Sequence, residues 1–236
     1  MINFFRQIRK SLFMKNKTGK YFKYAIGEIF LVVIGILIAL SINNWNENRQ
    51  NRKVLTIYTN QLIEEVEINV AQLNNIVKNE TKLVKHLDTV VSLLNKQDYD
   101  NIKLKNKSYA LLTFEDFNPE TIAYDNLKSS GEFKLIENIE LRNAISGAYN
   151  TFEDVKLTQE VHYYNMKTRV ADYFLENADY GNFQHTSTDF AKDRVFKNLT
   201  LGSVATFNQK IEACKNSLES LKELKTKLEY FSNNEL

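Results

Sequence analysis

Histidine and cysteine, the side chains that most often carry metal or nucleophilic chemistry, are scarce in this sequence. The 236 residues include three histidines, His86, His162 and His185, and one cysteine, Cys214. No histidine lies in an H-E-x-x-H or E-x-x-H pattern, the helical spacings that bring two ligands to one metal. His162, in E-x-H-Y-Y, is therefore predicted to be a packed or capping histidine, and no metal site is expected.

Cysteine and glycine form no catalytic motif either. Cys214 falls on the apolar stripe of a predicted helix, where a small core residue is expected, whereas a reactive thiol needs an electropositive, partly exposed environment. The sequence has no G-x-S-x-G nucleophile motif, no complete phosphate loop and no G-x-G-x-x-G dinucleotide motif. We therefore expect a non-enzymatic protein without a cofactor.

The composition predicts an all-α fold. One proline and seven glycines in 236 residues leave few turns for a protein of many short strands. The residues are 43% hydrophobic, which is enough for a packed core, and a single cysteine excludes a disulfide framework.

The apolar stretch at residues 24–42 reads YAIGEIFLVVIGILIALSI and carries one charge, Glu28. As a helix at 1.5 Å per residue it would be about 28 Å long, close to the hydrocarbon thickness of a bilayer. Tyr24 and Trp45 lie near its two ends, where membrane proteins place interfacial aromatic residues. The stretch is predicted to be a single transmembrane helix.

Charge predicts the orientation of this helix. Residues 1–24 carry seven basic and no acidic residues, whereas the rest of the chain, Glu28 aside, has 24 basic and 28 acidic residues. The positive-inside rule then keeps residues 1–23 in the cytoplasm and exports residues 43–236. Ile2, Phe5, Ile8 and Leu12 recur at helical spacing and predict a basic amphipathic tail on the inner leaflet; the alternative is a charge cluster that only sets the orientation and has no defined structure. The long basic region favours an uncleaved anchor over a cleaved signal peptide.

Because the basic residues cluster beside the membrane, nucleic-acid binding is not expected.

Within the span, Glu28, Gly35 and Ala39 fall on one helical stripe. Gly35-x-x-x-Ala39 is a small-xxx-small pair, which lets two helices approach closely, and Glu28 would be a buried or shared carboxylate on that face. This interpretation predicts a homo-oligomer formed through the membrane helix. The alternative is a monomeric anchor in which the small residues occur by chance and Glu28, near Lys20 and Lys23, reaches the interface.

From residue 55 to residue 94, apolar residues repeat every seven positions on three adjacent tracks. Two tracks are each interrupted once by a polar residue, Asn69 in one and Glu80 in the other. A three-track stripe is wider than the seam of a two-stranded coiled coil, so it predicts a multi-helix bundle whose first helix continues from the membrane. The tracks are Leu62, Ile76, Leu83 and Val90; Val66, Leu73, Leu87 and Leu94; and Ile63, Val70, Val77, Val84 and Val91.

The remaining sequence completes an antiparallel bundle of about four helices. Residues 95–108 are polar and predict a distal turn and connection. Asn118-Pro119-Glu120 has the N-cap, first-position proline and acidic first turn of a helix start, and Gly131 is the predicted end of that helix. A long amphipathic segment at residues 139–177 predicts the next helix, and the last helix follows a loop at residues 180–193.

The turn Ser129-Ser130-Gly131 is a candidate interaction elbow. Apolar residues surround it, and Asn138 can cap the helix that follows. The functional interpretation is a niche for a ligand or partner on a helix–turn–helix corner. The alternative is a packed corner that sets the angle between two helices.

Three strings in the chain carry a resemblance to known sequences. Residues 19–47, GKYFKYAIGEIFLVVIGILIALSINNWNE, the FFRQIRK start and the block LKSSGEFKLIENIELRNAISGAY at residues 127–149 resemble an uncharacterised family of bacterial single-pass membrane proteins, known only as a domain of unknown function. The resemblance covers essentially the whole chain. It implies a Gram-negative inner-membrane anchor with a periplasmic helical domain, and it brings no activity, ligand or catalytic residue.

Two functions fit these observations. The first is a scaffold or interaction protein, anchored in the bilayer, which presents the bundle to an unidentified membrane or periplasmic protein. The second is an extracytoplasmic domain that senses a ligand or peptide and works with a separate membrane partner. A polar pocket between the helices would favour the sensor, and a solid core with exposed aromatic residues would favour the scaffold.

Overall fold

The computed structural model describes residues 18–178 and 188–234, and every regular element in these ranges is a helix. The predicted all-α fold class is therefore confirmed for this part of the chain. The chain forms two compact units, Met1–Val54 and Leu55–Leu236. Most of the predicted basic tail, and most of the predicted loop at residues 180–193, lie outside the described residues.

The first helix, α1, runs from Thr18 to Lys96 and includes the whole predicted span. Its N-terminal part is long and apolar enough to cross a membrane, and none of its most apolar 18-residue window is buried. Large apolar side chains there, such as Ile29, Leu31 and Ile42, are more than half exposed.

In the second unit, the C-terminal part of α1 shares a core with two long helices and three short ones. The further helices are α2 (Ile102–Ser108), α3 (Ile122–Ser129), α4 (Ile139–Asn165), α5 (Ala171–Asn177) and α6 (Arg194–Asn234). The long helices α4 and α6 pack against each other. Short 3-10 turns occur at Tyr109–Leu112, Glu132–Leu135 and Thr188–Lys192.

Two predicted helix ends are confirmed. Asn138 caps α4, because its side-chain Oδ1 accepts a hydrogen bond from the Leu141 amide at 3.0 Å. Gly131 follows the end of α3 with φ 75°, a left-handed conformation that glycine adopts without strain. The predicted corner between these two helices is therefore built by its local sequence.

The predicted helix start at Asn118-Pro119-Glu120 is wrong. α3 begins at Ile122, and residues 113–121 have no regular secondary structure. The Glu120 amide donates to the side chain of Asn69 on α1 at 2.8 Å. A tertiary contact therefore overrides the local capping signal, which is a weak determinant by itself.

Residues 95–108 contain the predicted turn but also α2, a helix that was not predicted. α1 ends where Gln97 has φ 58°, and Asn101 caps α2 by accepting the Lys103 amide at 3.0 Å. Leu104 and Ser108 of α2 are fully buried. Of the three buried residues of α2, which also include Lys105, only Leu104 is apolar, and one apolar position cannot produce a recognisable helical period.

The predicted helix at residues 139–177 is confirmed with one local change. A π-helical turn, Met166–Val170, separates α4 from α5, and the Ala171 amide bonds to the Met166 carbonyl five residues earlier. Val170 and Phe174 are buried on either side of the Ala171 position. The turn thus lets one nearly continuous helix keep its apolar residues inside.

Candidate functional site

Two apolar clusters fill the second unit: the first includes Leu73 and Leu221, and the second includes Leu87 and Phe196. On each of the long helices α1, α4 and α6, one buried polar residue lies, along the chain, between members of the first cluster and members of the second. These residues are Glu80 on α1, His162 on α4 and Lys210 on α6. We call Glu80, His162 and Lys210 the polar layer, and we include Phe114 because its ring contacts both His162 and Lys210. The cluster members on either side along the chain are Ile76 and Leu87, Val155 and Val170, and Phe207 and Cys214.

Glu80 and Lys210 form a fully buried ion pair. Lys210 Nζ lies 2.5 Å from Glu80 Oε1, and both side chains are 0% exposed. The ammonium group also donates to the backbone carbonyl of Glu115 and lies 4.9 Å from the centroid of the Phe114 ring. The pair therefore joins α1 and α6 to residues 113–121. Because both side chains are shielded from solvent, the pair is positioned to stabilise the fold and not to bind a ligand.

The carboxylate of Glu80 is incompletely bonded. Its Oε2 is buried and has no hydrogen-bond partner among the described residues. Burial raises the pKa of Glu80, the ion pair with Lys210 opposes the rise, and the charge of Glu115 adds to it. A buried pair of this kind adds little net stability, yet removal of one partner leaves an uncompensated charge in the core.

His162 is a packed histidine, as predicted. It is 1% exposed, its ring centroid lies 4.0 Å from that of Phe207, and Nδ1 lies 2.9 Å from Thr206 Oγ1. Burial and, to a smaller extent, the nearby charge of Lys210 lower the pKa of His162 to about 4, although a hydrogen bond with the Thr113 backbone opposes the fall. The ring is therefore neutral at neutral pH.

Residues 113–121, which we call the strap, lie against α1 through Asn69. Asn69 Nδ2 donates to the Glu120 carbonyl at 2.7 Å, and its Oδ1 accepts from the Glu120 amide at 2.8 Å. Gln159 on α4 accepts from the Phe117 amide at 2.8 Å. Asn69 is 0% exposed, so these bonds replace water at a buried amide group.

The start of α3 is held by a side chain of another helix. Glu65 of α1 accepts the amides of Ala123 and Tyr124, at 2.6 and 3.3 Å, and the Tyr149 hydroxyl donates to the same carboxylate. This carboxylate takes the place of a local N-cap, and a negative charge is favourable at a helix N-terminus. Burial raises the pKa of Glu65, although all three bonds oppose the rise.

An open cleft of about 220 Å³ lies beside Glu65. Exposed Ile68 and Ile122 contribute apolar surface to it, and Glu64 and Glu120 contribute carboxylates. The two carboxylates give the lining a negative charge. The carboxylate of Glu65 is already occupied by the bonds to α3 and Tyr149, so it is not an unpartnered ligand.

The predicted helix-association face, formed by Glu28, Gly35 and Ala39, belongs to the first unit. Glu28 is half-buried, whereas Gly35 and Ala39 are exposed. A Cβ atom at Gly35 would meet no atom of this chain within 4 Å, so packing within the chain does not require glycine there. Association of this face with a second copy remains a prediction.

The predicted elbow is an exposed turn that bonds to itself. The hydroxyls of Ser129 and Ser130 donate to the carbonyls of Asn126 and Leu127, both at 3.2 Å. Ser130 Oγ accepts the Glu132 amide, and Gly131 supplies the left-handed residue. These contacts support the packed-corner interpretation, and a role in partner binding remains a prediction.

Cys214 is 0% exposed and belongs to the first apolar cluster, as the core prediction required. Burial raises the pKa of its thiol to about 12, so the nucleophilic thiolate is scarce. Within residues 18–178 and 188–234, no group of three His, Cys, Asp or Glu side chains is placed to hold a metal ion.

The residues that hold the strap are not among the predicted site residues, although the sequence contains a signal for two of them. Asn69 and Glu80 are the two interruptions in otherwise apolar tracks, and both are fully buried. A polar residue at a core position of a long helix needs a specific partner. The partners, Glu120 and Lys210, lie 51 and 130 positions away in the chain, so helical spacing could not identify them.

The comparisons with known proteins give one result. The model of a family of unknown function (DUF6090) matches residues 28–200. The chain belongs to this family. The DUF6090 match includes Glu65, Asn69, Glu80 and the strap, whereas Lys210 lies beyond its end. No curated protein and no solved structure matches the chain.

Proposed function

We propose that this member of DUF6090 is a membrane-anchored, non-enzymatic interaction or scaffold protein. The observation that carries the proposal is the unburied apolar part of α1, where Ile29, Leu31 and Ile42 face outward. A long exposed apolar patch is unfavourable in water and favourable in hydrocarbon. The bilayer is therefore the proposed partner of the first unit.

Charge supports a defined orientation in a bacterial inner membrane. The seven basic residues before the span favour a cytoplasmic N-terminus and a periplasmic second unit. Trp45, 64% exposed with the Arg49 guanidinium 5.9 Å from its ring centroid, has the character of an interfacial anchor.

The surface of the second unit supports a role in interaction. On α4, Leu157, Val161 and Tyr164 are 61%, 47% and 61% exposed and follow one another at helical spacing. Beneath them the core is closed by the two apolar clusters. A packed body with apolar residues outside is better suited to protein contacts than to small-molecule turnover.

The proposal is tested by fractionation and topology reporters. The intact chain is expected in the membrane pellet after alkaline carbonate washing, and a chain without residues 1–45 in the supernatant. A C-terminal alkaline phosphatase fusion is expected to be active and a C-terminal green fluorescent protein fusion dark. Release of the intact chain by carbonate, or the reverse reporter pattern, would overturn anchoring or orientation respectively.

A second function, ligand sensing with a separate membrane partner, is favoured by the cleft beside Glu65. The two functions differ in what accompanies the purified protein. The mass of the detergent-solubilised chain, with and without residues 1–45, distinguishes self-assembly through the membrane helix from a monomer that needs another protein. A thermal shift with small amines, absent when Glu64→Lys replaces a carboxylate of the cleft with a positive charge, would support the sensor.

A further inference from the structure

The strap lies in a groove formed by α1, α4 and α6. The side chains of this groove bond mainly to backbone atoms of the strap. Three side chains, one each from α1, α4 and α6, bond to backbone atoms of three strap residues. The pairs are Asn69 with Glu120, Gln159 with Phe117 and Lys210 with Glu115. Groups that bond to a peptide backbone accept many sequences, provided that the peptide adopts the same conformation.

Two aromatic side chains of the strap enter the body, three positions apart. Phe117 is 5% exposed, and its ring meets that of Phe152 edge-on at 5.4 Å. Phe114 stacks on His162, with ring centroids 6.1 Å apart, and lies under Lys210. The intervening Asp116 is exposed and adds one side-chain bond to Gln159.

We propose that this groove is a peptide-binding site, occupied in cis by the strap, that accepts a Phe-x-x-Phe segment of a partner protein when the strap leaves. The chemistry of the partner is read from the strap itself, since the groove offers two aromatic sites and three backbone-directed polar groups. Without a peptide, the side-chain amide of Asn69 would lose both of its strap partners, and Lys210 would keep only Glu80, which is unfavourable in the core. All these contacts lie in Leu55–Leu236, so the inference is independent of membrane anchoring.

The strap and a peptide from another protein compete for the same groove, and this competition determines how tightly the free peptide binds. A tethered strap has an effective concentration in the millimolar range, so a free peptide binds the native chain weakly. Phe117→Ala removes one anchor from the strap but leaves its site in the groove intact. The apparent affinity for a free peptide rises in proportion to the fraction of chains whose groove is open.

The experiment uses the intact chain in mild detergent and a fluorescein-labelled peptide of residues 112–122. Anisotropy titration is expected to show saturable binding to Phe117→Ala, at least about tenfold tighter than to the native chain. A peptide with both Phe114 and Phe117 replaced by Ala is expected not to bind. Adding Asn69→Leu to the Phe117→Ala chain is expected to weaken binding about tenfold, because two hydrogen bonds to the peptide are lost.

Matched controls separate the groove from general loosening. Asn74→Leu places the same change on an exposed position of α1 and is expected to leave binding unchanged. If Phe117→Ala does not fold, Phe114→Ala, which alters a half-buried anchor, takes its place. Binding that ignores the two phenylalanines of the peptide, or that falls equally with Asn74→Leu, would overturn the proposal.

Amide hydrogen exchange on the native chain tests independently whether the strap can leave the groove. If the strap can leave, the amides of Phe117 and Glu120 exchange faster than those in the middle of α4, through a local opening. Exchange of these amides only together with the core helices would show that the strap is a permanent part of the fold, and the peptide site would be excluded.

Discussion

Asn69 of α1 makes both of its strap contacts with a single residue, Glu120: Nδ2 donates to the Glu120 carbonyl at 2.7 Å and Oδ1 accepts from the Glu120 amide at 2.8 Å. The side-chain amide thus pairs with a peptide group as a neighbouring strand would, in a fold whose described residues contain no strand. The bonds explain why a polar residue occupies a core position of an otherwise apolar track.

Asn69→Leu should destabilise the second unit by about 1–3 kcal/mol, because the carbonyl and amide of Glu120 lose their partners. The measurement is the midpoint of urea unfolding of the intact chain in detergent, followed by the near-ultraviolet circular dichroism of its tyrosines. Asn75→Leu, an exposed change on the same helix, is the control and should leave the midpoint within error. Equal midpoints for both variants would mean that the Asn69 bonds add nothing.

Long-range polar pairs mark the limit of what the sequence predicts here. The period of α1, the cap at Asn138 and the turn at Gly131 are local patterns, and the structure confirms all three. The proline signal at Pro119 is also local, but the strap satisfies its backbone on α1 and α4 instead of in a helix. Local rules therefore identified the helices and failed where a distant side chain replaced the helical hydrogen bond.

The buried Glu80–Lys210 pair should be strongly coupled. Lys210→Met alone is expected to cost about 3–5 kcal/mol, because it leaves the Glu80 carboxylate in the core without a counter-charge. The double variant Glu80→Met with Lys210→Met should be less destabilised than the sum of the two single variants, since neither charge remains.

An exposed pair between the same two helices provides the comparison for this cycle. Lys225 of α6 lies 2.7 Å from Glu67 of α1, and the side chains are 35% and 53% exposed. Replacing either with Met should change stability by no more than about 1 kcal/mol, because water solvates the remaining charge. Similar coupling energies for the two pairs would contradict the role assigned to burial.

Stability should depend on pH through Glu65. Burial raises the pKa of Glu65 above its ordinary value of 4.5, so the folded chain binds more protons than the unfolded chain just above that pH. Its contribution to stability is therefore complete below pH 4.5 and is lost as pH rises through the folded pKa.

Glu65→Gln removes this titration while keeping an oxygen that can accept from α3. The stability of Glu65→Gln relative to the native chain should therefore increase as pH rises above 4.5, measured by urea unfolding between pH 4 and 8. Glu64→Gln, an exposed neighbour, should show no such trend. A relative stability that falls with pH would reverse the assigned direction of the shift.

Gly35→Ile with Ala39→Ile should weaken self-association of the first unit, if the predicted face is used, because branched side chains keep two helices apart. The measurement is the oligomeric mass in mild detergent together with a two-hybrid assay in membranes. Gly27→Ile lies about 80° around the helix from Gly35 and is the control. Unchanged association of the double variant would remove Gly35 and Ala39 from the interface.

The thiol of Cys214 should report unfolding of the second unit and little else. It is the only cysteine, it is fully buried, and burial raises its pKa to about 12 from an ordinary value of 9.0. A shift of this size lowers the thiolate fraction at pH 8 about 1000-fold, and exclusion of the reagent slows labelling further. Maleimide labelling should therefore be slow in the native chain and should rise with urea along the same curve as the tyrosine signal.

Moving the thiol to the exposed face of α6, with Cys214→Ala and Asn216→Cys, should restore fast labelling without urea. Rapid labelling of Cys214 in the native chain would mean that the first apolar cluster opens locally and that α1 and α6 are not held together at the polar layer.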